Sequence, residues 1–84
     1  MNLKELKSKA KLLQPIVRIG KNGMDDNLIT EIKKHLKKRK LIKIKMLKSF
    51  RDEKTKDVAK DVAEKTGSEL IDSVGFVFVL YKKP

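Results

Sequence analysis

The run Gly20-Lys21-Asn22-Gly23 is the part of this 84-residue chain whose residue types and spacing best suit contact with a ligand. Glycines at both ends let a backbone turn tightly and lie close to a bound group, and the start of a following helix offers free N–H groups that favour an anion. Lys21 adds a positive charge at the tip. The chemistry this predicts is contact with phosphate, made by backbone N–H groups and an ammonium. Four residues of GxxG are not specific alone, because many strand-to-helix turns need two glycines. Asp25 and Asp26 would also repel a phosphate held deep at the helix start, so contact is expected through the loop backbone, Lys21 and lysines further along.

Those lysines are present. The helix that follows carries Lys34, Lys37 and Lys38 off its apolar face, and the next strand adds Lys43 and Lys45. The formal net charge is +11, and it is unevenly placed: residues 1–51 hold 16 basic and 4 acidic side chains, residues 52–84 hold 6 and 7. A field this large on one half implies a directed surface for a polyanion. A GxxG loop beside a basic helix is the arrangement by which KH modules clamp nucleic-acid backbone.

Other chemistries find little material. The chain has one histidine, His35, and no cysteine, so neither a metal site nor a catalytic pair is expected, and His35 reads as a packed or half-exposed structural residue. Asp57, Asp61 and Glu64 share a helix with Lys54, Lys56, Lys60 and Lys65 and read as a solvated face. No enzyme activity and no cofactor are expected. The lack of cysteine suits an intracellular, cytoplasmic location, and the longest apolar run, Phe76 to Tyr81, is too short to span a bilayer. Phe50 and Tyr81 are the aromatics best placed to touch bases, though each reads first as a packing residue; Phe76 and Phe78 are expected in the core. With so few aromatics, base stacking should not dominate.

The elements that position these residues follow from periodicity. Leu3, Leu6, Ala10 and Leu13 mark a first helix, closed at Gln14-Pro15; Ile16 to Ile19 reads as a strand. Leu28, Ile29, Ile32 and Leu36 give the second helix its apolar face. Leu41 to Leu47 alternates as a strand with Lys43 and Lys45 on a wet or ligand-facing side. Thr55, Val58, Ala59, Val62, Ala63 and Thr66 make the small-residue face of a third helix stopped by Gly67, and Leu70–Val74 with Phe76–Lys82 reads as a hairpin turning at Gly75. The predicted order is α-β-α-β-α-β-β over residues 1–84, one domain. It folds as a two-layer α/β sandwich on a four-stranded mixed sheet whose first three strands run parallel.

On these residues the chain resembles the CRM domain family, the YhbY-like RNA-binding domains found alone in bacteria and within organellar intron-splicing factors. The resemblance rests on Gln14-Pro15-Ile16-Val17, Ile19-Gly20-Lys21-Asn22-Gly23, Leu41-Ile42-Lys43-Ile44-Lys45, Thr66-Gly67-Ser68-Glu69-Leu70, Val74-Gly75 and Leu80-Tyr81-Lys82, in order along nearly the whole chain. It implies a fold similar to the C-terminal domain of translation initiation factor three. It also implies RNA binding centred on Gly20, Lys21, Asn22 and Gly23 with Arg18 beside them, and, for a single-domain member, association of a monomer with ribosomal RNA or pre-ribosomal particles during large-subunit assembly. Asp25 stands where the family often has Ser or Thr, and Lys82 replaces a commoner Arg. The alternative reading is a chromatin-type protein similar to Alba, binding duplex nucleic acid as a dimer.

Overall fold

Alternation along Leu41-Ile42-Lys43-Ile44-Lys45-Met46 sends Ile42, Ile44 and Met46 to one side of a strand, where all three are fully buried. Around that strand the computed structural model, which describes residues 2–20, 23, 25–47 and 54–83, places α1 (Leu3–Lys11), β1 (Val17–Ile19), α2 (Asp26–Arg39), β2 (Leu41–Met46), α3 (Thr55–Thr66), β3 (Glu69–Val74) and β4 (Val77–Tyr81). The element order is the predicted one. Lys21, Asn22 and the stretch 48–53, with Phe50, lie outside the described residues.

The sheet order is β1-β2-β4-β3. β1 pairs with β2 in parallel, and β4 pairs antiparallel with both β2 and β3. The first three strands therefore share a direction, as the crossover argument requires, but β3 is separated from β2 by the last strand. Ile71 falls at a register irregularity between Leu70 and Asp72 on the outer strand, where it turns to the opposite face from Leu70.

Val17, Ile19, Ile32, Leu36, Ile44, Val62, Phe78 and Leu80 close the main core between the sheet and the pair α2 and α3. Small side chains on α3, Ala59 and Ala63, let that helix approach the sheet closely. Full burial of each large apolar side chain contributes about 1.5–3 kcal/mol. A second, smaller core of Leu6, Ala10, Ile71 and Val79 lies on the other face under α1. The expected sandwich of sheet and helix pair is present, and α1 adds partial cover behind it. That cover has a consequence for β2, because the face holding Lys43 is not open to solvent over its whole length.

Helix ends carry the expected punctuation. Asn2 caps α1, its side chain accepting from the Glu5 N–H at 2.9 Å. Asp25 caps α2 by accepting from the Leu28 N–H at 2.8 Å. At the end of α3, Gly67 is left-handed (φ 65°), the Gly67 N–H donates to Glu64 O and the Ser68 N–H to Ala63 O at 2.9 Å, a Schellman closure. Phe76, expected in the core, is 42% exposed in the turn between β3 and β4, while Phe78 is fully buried. Leu3 is also half-exposed, lying at the free end of α1 beyond the reach of the second core.

Candidate nucleic-acid interface

The parallel β1–β2 pairing ends at Ile19, and the chain must reverse within a few residues to start α2 on the same sheet face. The turn is closed by the Gly23 N–H donating to Gly20 O at 2.9 Å, with Gly23 at φ 63°, a conformation that glycine adopts without penalty. A shallow groove of about 300 Å³ lies beside this turn, lined by Arg18, Gly20, Gly23, Asp25, Asn27 and Glu31. Among the described residues Arg18 is the cation in this lining, which it shares with the carboxylates of Asp25 and Glu31. Asp25 is occupied as the helix cap, its carboxylate accepting from the Leu28 N–H.

Along α2 the positive charge gathers. Lys33, Lys34 and Lys37 line a groove of about 560 Å³ between α2 and the end of α3, and Lys65 and Lys82 face them from the far wall. Glu64 is the acidic side chain in that lining, and Lys65 is paired with Asp61 at 3.0 Å. Lys37, Lys38 and Arg39 occupy the last turn of α2, where the helix dipole favours cations. Lys38 is exposed but does not line the groove.

The two lysines of β2 diverge. Lys45 is half-buried and its Cα is in register with that of Arg18 on the edge strand, so the two cations are neighbours. Lys43 does not extend the open basic surface: its Nζ donates to the carbonyls of Ala10 at 3.2 Å and Leu13 at 3.4 Å, beneath the end of α1. An alternating pattern shows that a side chain leaves the main core; it does not show which element covers the other face. The predicted residues thus form a loop-and-edge group (Arg18, Gly20, Gly23, Lys45) and a helix group (Lys34, Lys37, Lys38), with Lys43 apart. The sequence marks Lys82 only as a replacement for a commoner Arg and Lys65 only as part of a solvated helix face, and it does not mark Lys33, because their grouping arises only when α3 packs beside α2.

Cations on a rigid scaffold can hold a polyanion. Among the described residues no cluster of His, Asp and Glu is arranged to hold a metal ion. His35 is half-buried beside Glu31, 3.7 Å away, one helical turn earlier. Among the described residues no helix is long and apolar enough to cross a membrane.

The model of the CRS1 / YhbY (CRM) domain matches residues 1–82. The chain belongs to the CRM domain family. Among relatives of this CRM chain, "Probable RNA-binding protein YqeI" of Bacillus subtilis is 40% identical over 78 residues, 93% of this chain and 80% of the relative. "Probable RNA-binding protein MJ0652" of Methanocaldococcus jannaschii is 35% identical over 78 residues, 92% of this chain and 58% of the relative. The solution structure of the hypothetical protein SAV1595 from Staphylococcus aureus superposes with a TM-score of 0.80 at 36% identity, covering 98% of this CRM chain and 84% of that protein.

Proposed function

We propose that this chain is an RNA-binding protein that holds RNA backbone with the Gly20–Gly23 loop and with the cationic groove of α2 and α3. The observation that carries the reading is the convergence of Lys33, Lys34, Lys37, Lys65 and Lys82 on one groove. Membership of the CRM family, and the RNA-binding names of relatives 40% and 35% identical, support RNA as the polyanion. Lysine without a rich set of exposed aromatics recognises phosphate and shape more than base identity. Structured RNA with closely spaced phosphates is therefore the expected target, and ribosomal RNA in large-subunit precursors is its proposed source. In this reading the chain acts in the cytoplasm as a monomer without enzymatic activity.

The test is salt-titrated binding of ribosomal RNA fragments, single-stranded RNA and duplex DNA to the unaltered chain and to a Lys21→Ala, Asn22→Ala variant. Preference for RNA that weakens in the variant supports the reading and the loop's part in it. Equal affinity for duplex DNA, indifferent to the loop, would replace it with the chromatin-type alternative. Gradient fractionation of cell extracts tests the assembly role, with the protein expected on precursor particles and not on mature subunits.

A further inference from the structure

Resting on the RNA-binding reading, we propose that a third groove, between α1 and the sheet, takes one unstacked nucleotide of the bound strand, base inward and phosphate on the rim. This groove has a volume of about 520 Å³, within the range of small-ligand sites, which runs from roughly 300 to 1,000 Å³. Its floor is apolar, made by Leu6, Leu13, Ile16 and Leu41 with the ring of Tyr81. Its rim carries Lys9, Arg39 and Lys40.

An apolar floor beneath a cationic rim matches a planar base joined to a phosphate. Among the described residues no Asp or Glu lines this groove, in contrast to the one beside the loop, where Asp25 and Glu31 stand. Gln14 at the edge carries an amide that both donates and accepts, which suits the polar edge of a base. The back wall is held in place by Lys43, whose Nζ bridges to the carbonyls of Ala10 and Leu13.

Lys40, on the rim of this groove, stands at the turn out of α2. Its φ is 67°, a left-handed value rare for a residue with a side chain, and among the described residues it is the single non-glycine case. The position is fixed by its N–H donating to Leu36 O and its carbonyl accepting from the Lys82 N–H, both at 2.8 Å. Glycine would relax the backbone there. Lysine instead keeps a cation over the groove.

α2 joins this groove to the loop. It starts two residues after Met24, and its 14 residues extend about 21 Å to Arg39 on the rim. A backbone that follows the lysines of α2 arrives at this groove.

The chain has one tyrosine and no tryptophan, so its intrinsic emission reports on Tyr81 alone. The experiment titrates the intact protein with adenosine 5′-monophosphate, ribose 5-phosphate and a short oligoadenylate RNA, with absorption corrected against N-acetyltyrosinamide. Binding of the same oligonucleotide, end-labelled, is followed in parallel by anisotropy. Saturable quenching by the nucleotide, none by ribose 5-phosphate, and tighter quenching by the RNA are expected. Lys40→Gly, which the backbone accepts without strain, should weaken the nucleotide about fivefold. RNA binding seen by anisotropy with Tyr81 unaffected would overturn this site and leave the RNA-binding reading standing. No response in either signal would overturn this site, and the RNA-binding reading would then be decided by the ribosomal RNA fragments of the salt titration. Quenching by the mononucleotide with no gain for the RNA would reassign the groove to a free nucleotide and overturn its place on the strand.

Discussion

Lys43 Nζ lies 3.2 Å from the carbonyl oxygen of Ala10, so a strand lysine closes the end of a helix more than thirty residues earlier. The contact is partly buried and ties α1 to the central region of the sheet through a charged donor. Lys43→Met should cost about 1–2 kcal/mol, since charge-assisted bonds of this kind contribute on that order. Lys45→Met makes the comparison and should stay within about 0.5 kcal/mol. Urea denaturation of the two variants checks the pair, and equal midpoints would show that the Lys43 contact adds nothing to stability.

Asp25 presents a separable choice between capping and charge. Its carboxylate accepts from the Leu28 N–H at 2.8 Å while standing beside the proposed loop contact. Asp25→Ala should destabilise by about 1 kcal/mol through loss of the cap. Asp25→Ser keeps an accepting oxygen and removes the negative charge; it should leave the melting temperature near that of the unaltered chain and tighten RNA binding a few-fold at low salt. Weaker RNA binding in the serine variant would mean that Asp25 serves the complex directly.

The ends of α2 and α3 should answer in opposite directions. Gly67 at φ 65° has nothing within 4 Å of the position a Cβ would take, so Gly67→Ala meets no clash and is penalised by backbone conformation alone, about 1 kcal/mol. Lys40, at φ 67° and ψ −38°, lies outside the regions favoured by residues with a side chain, and Lys40→Gly should raise stability by roughly 0.5–1 kcal/mol. Thermal melts of the two variants, read by circular dichroism, must move apart; movement in the same direction would refute the assignment.

Neutralising Lys21, Lys34 and Lys37 together to glutamine should weaken RNA binding while leaving the urea midpoint in place, because Lys34 and Lys37 are exposed. For single strands the log–log salt slope changes by about 0.7 for each phosphate contact, so its magnitude should fall by roughly 2. An unchanged slope would put the binding surface on another face of the molecule.

Much of this arrangement is legible in the residue order. Ile42, Ile44 and Met46 alternate and are buried; Val58, Ala59, Val62 and Ala63 recur at helical spacing and pack on the sheet. Local periodicity has a limit, which Lys43, Phe76 and Lys40 show in three ways. Lys43 alternates with its neighbours as a wet residue would, yet α1 arrives from a distant part of the chain to cover it. Phe76 continues the alternation of Phe78 and falls in the turn, because the hairpin closes one residue later than Gly75 alone suggests. Lys40 has no compositional sign of its left-handed backbone. The grouping of Lys65 and Lys82 with Lys33, Lys34 and Lys37 is likewise a product of helix packing and strand order.

The position of β4 between β2 and β3 bears on when the protein can exist as a folded object. Synthesis runs from the amino end, so the loop and the lysine-rich half emerge first, as a cationic polymer without Phe78 and Leu80 to complete their core. Both antiparallel seams of the sheet form only when residues up to Tyr81 are available. The β3–β4 seam is a local hairpin, but the β2–β4 seam joins distant parts of the chain, and such pairing is slow compared with helix formation. The cationic half of the chain is therefore made before the strand that completes its sheet and gives its surface a fixed shape.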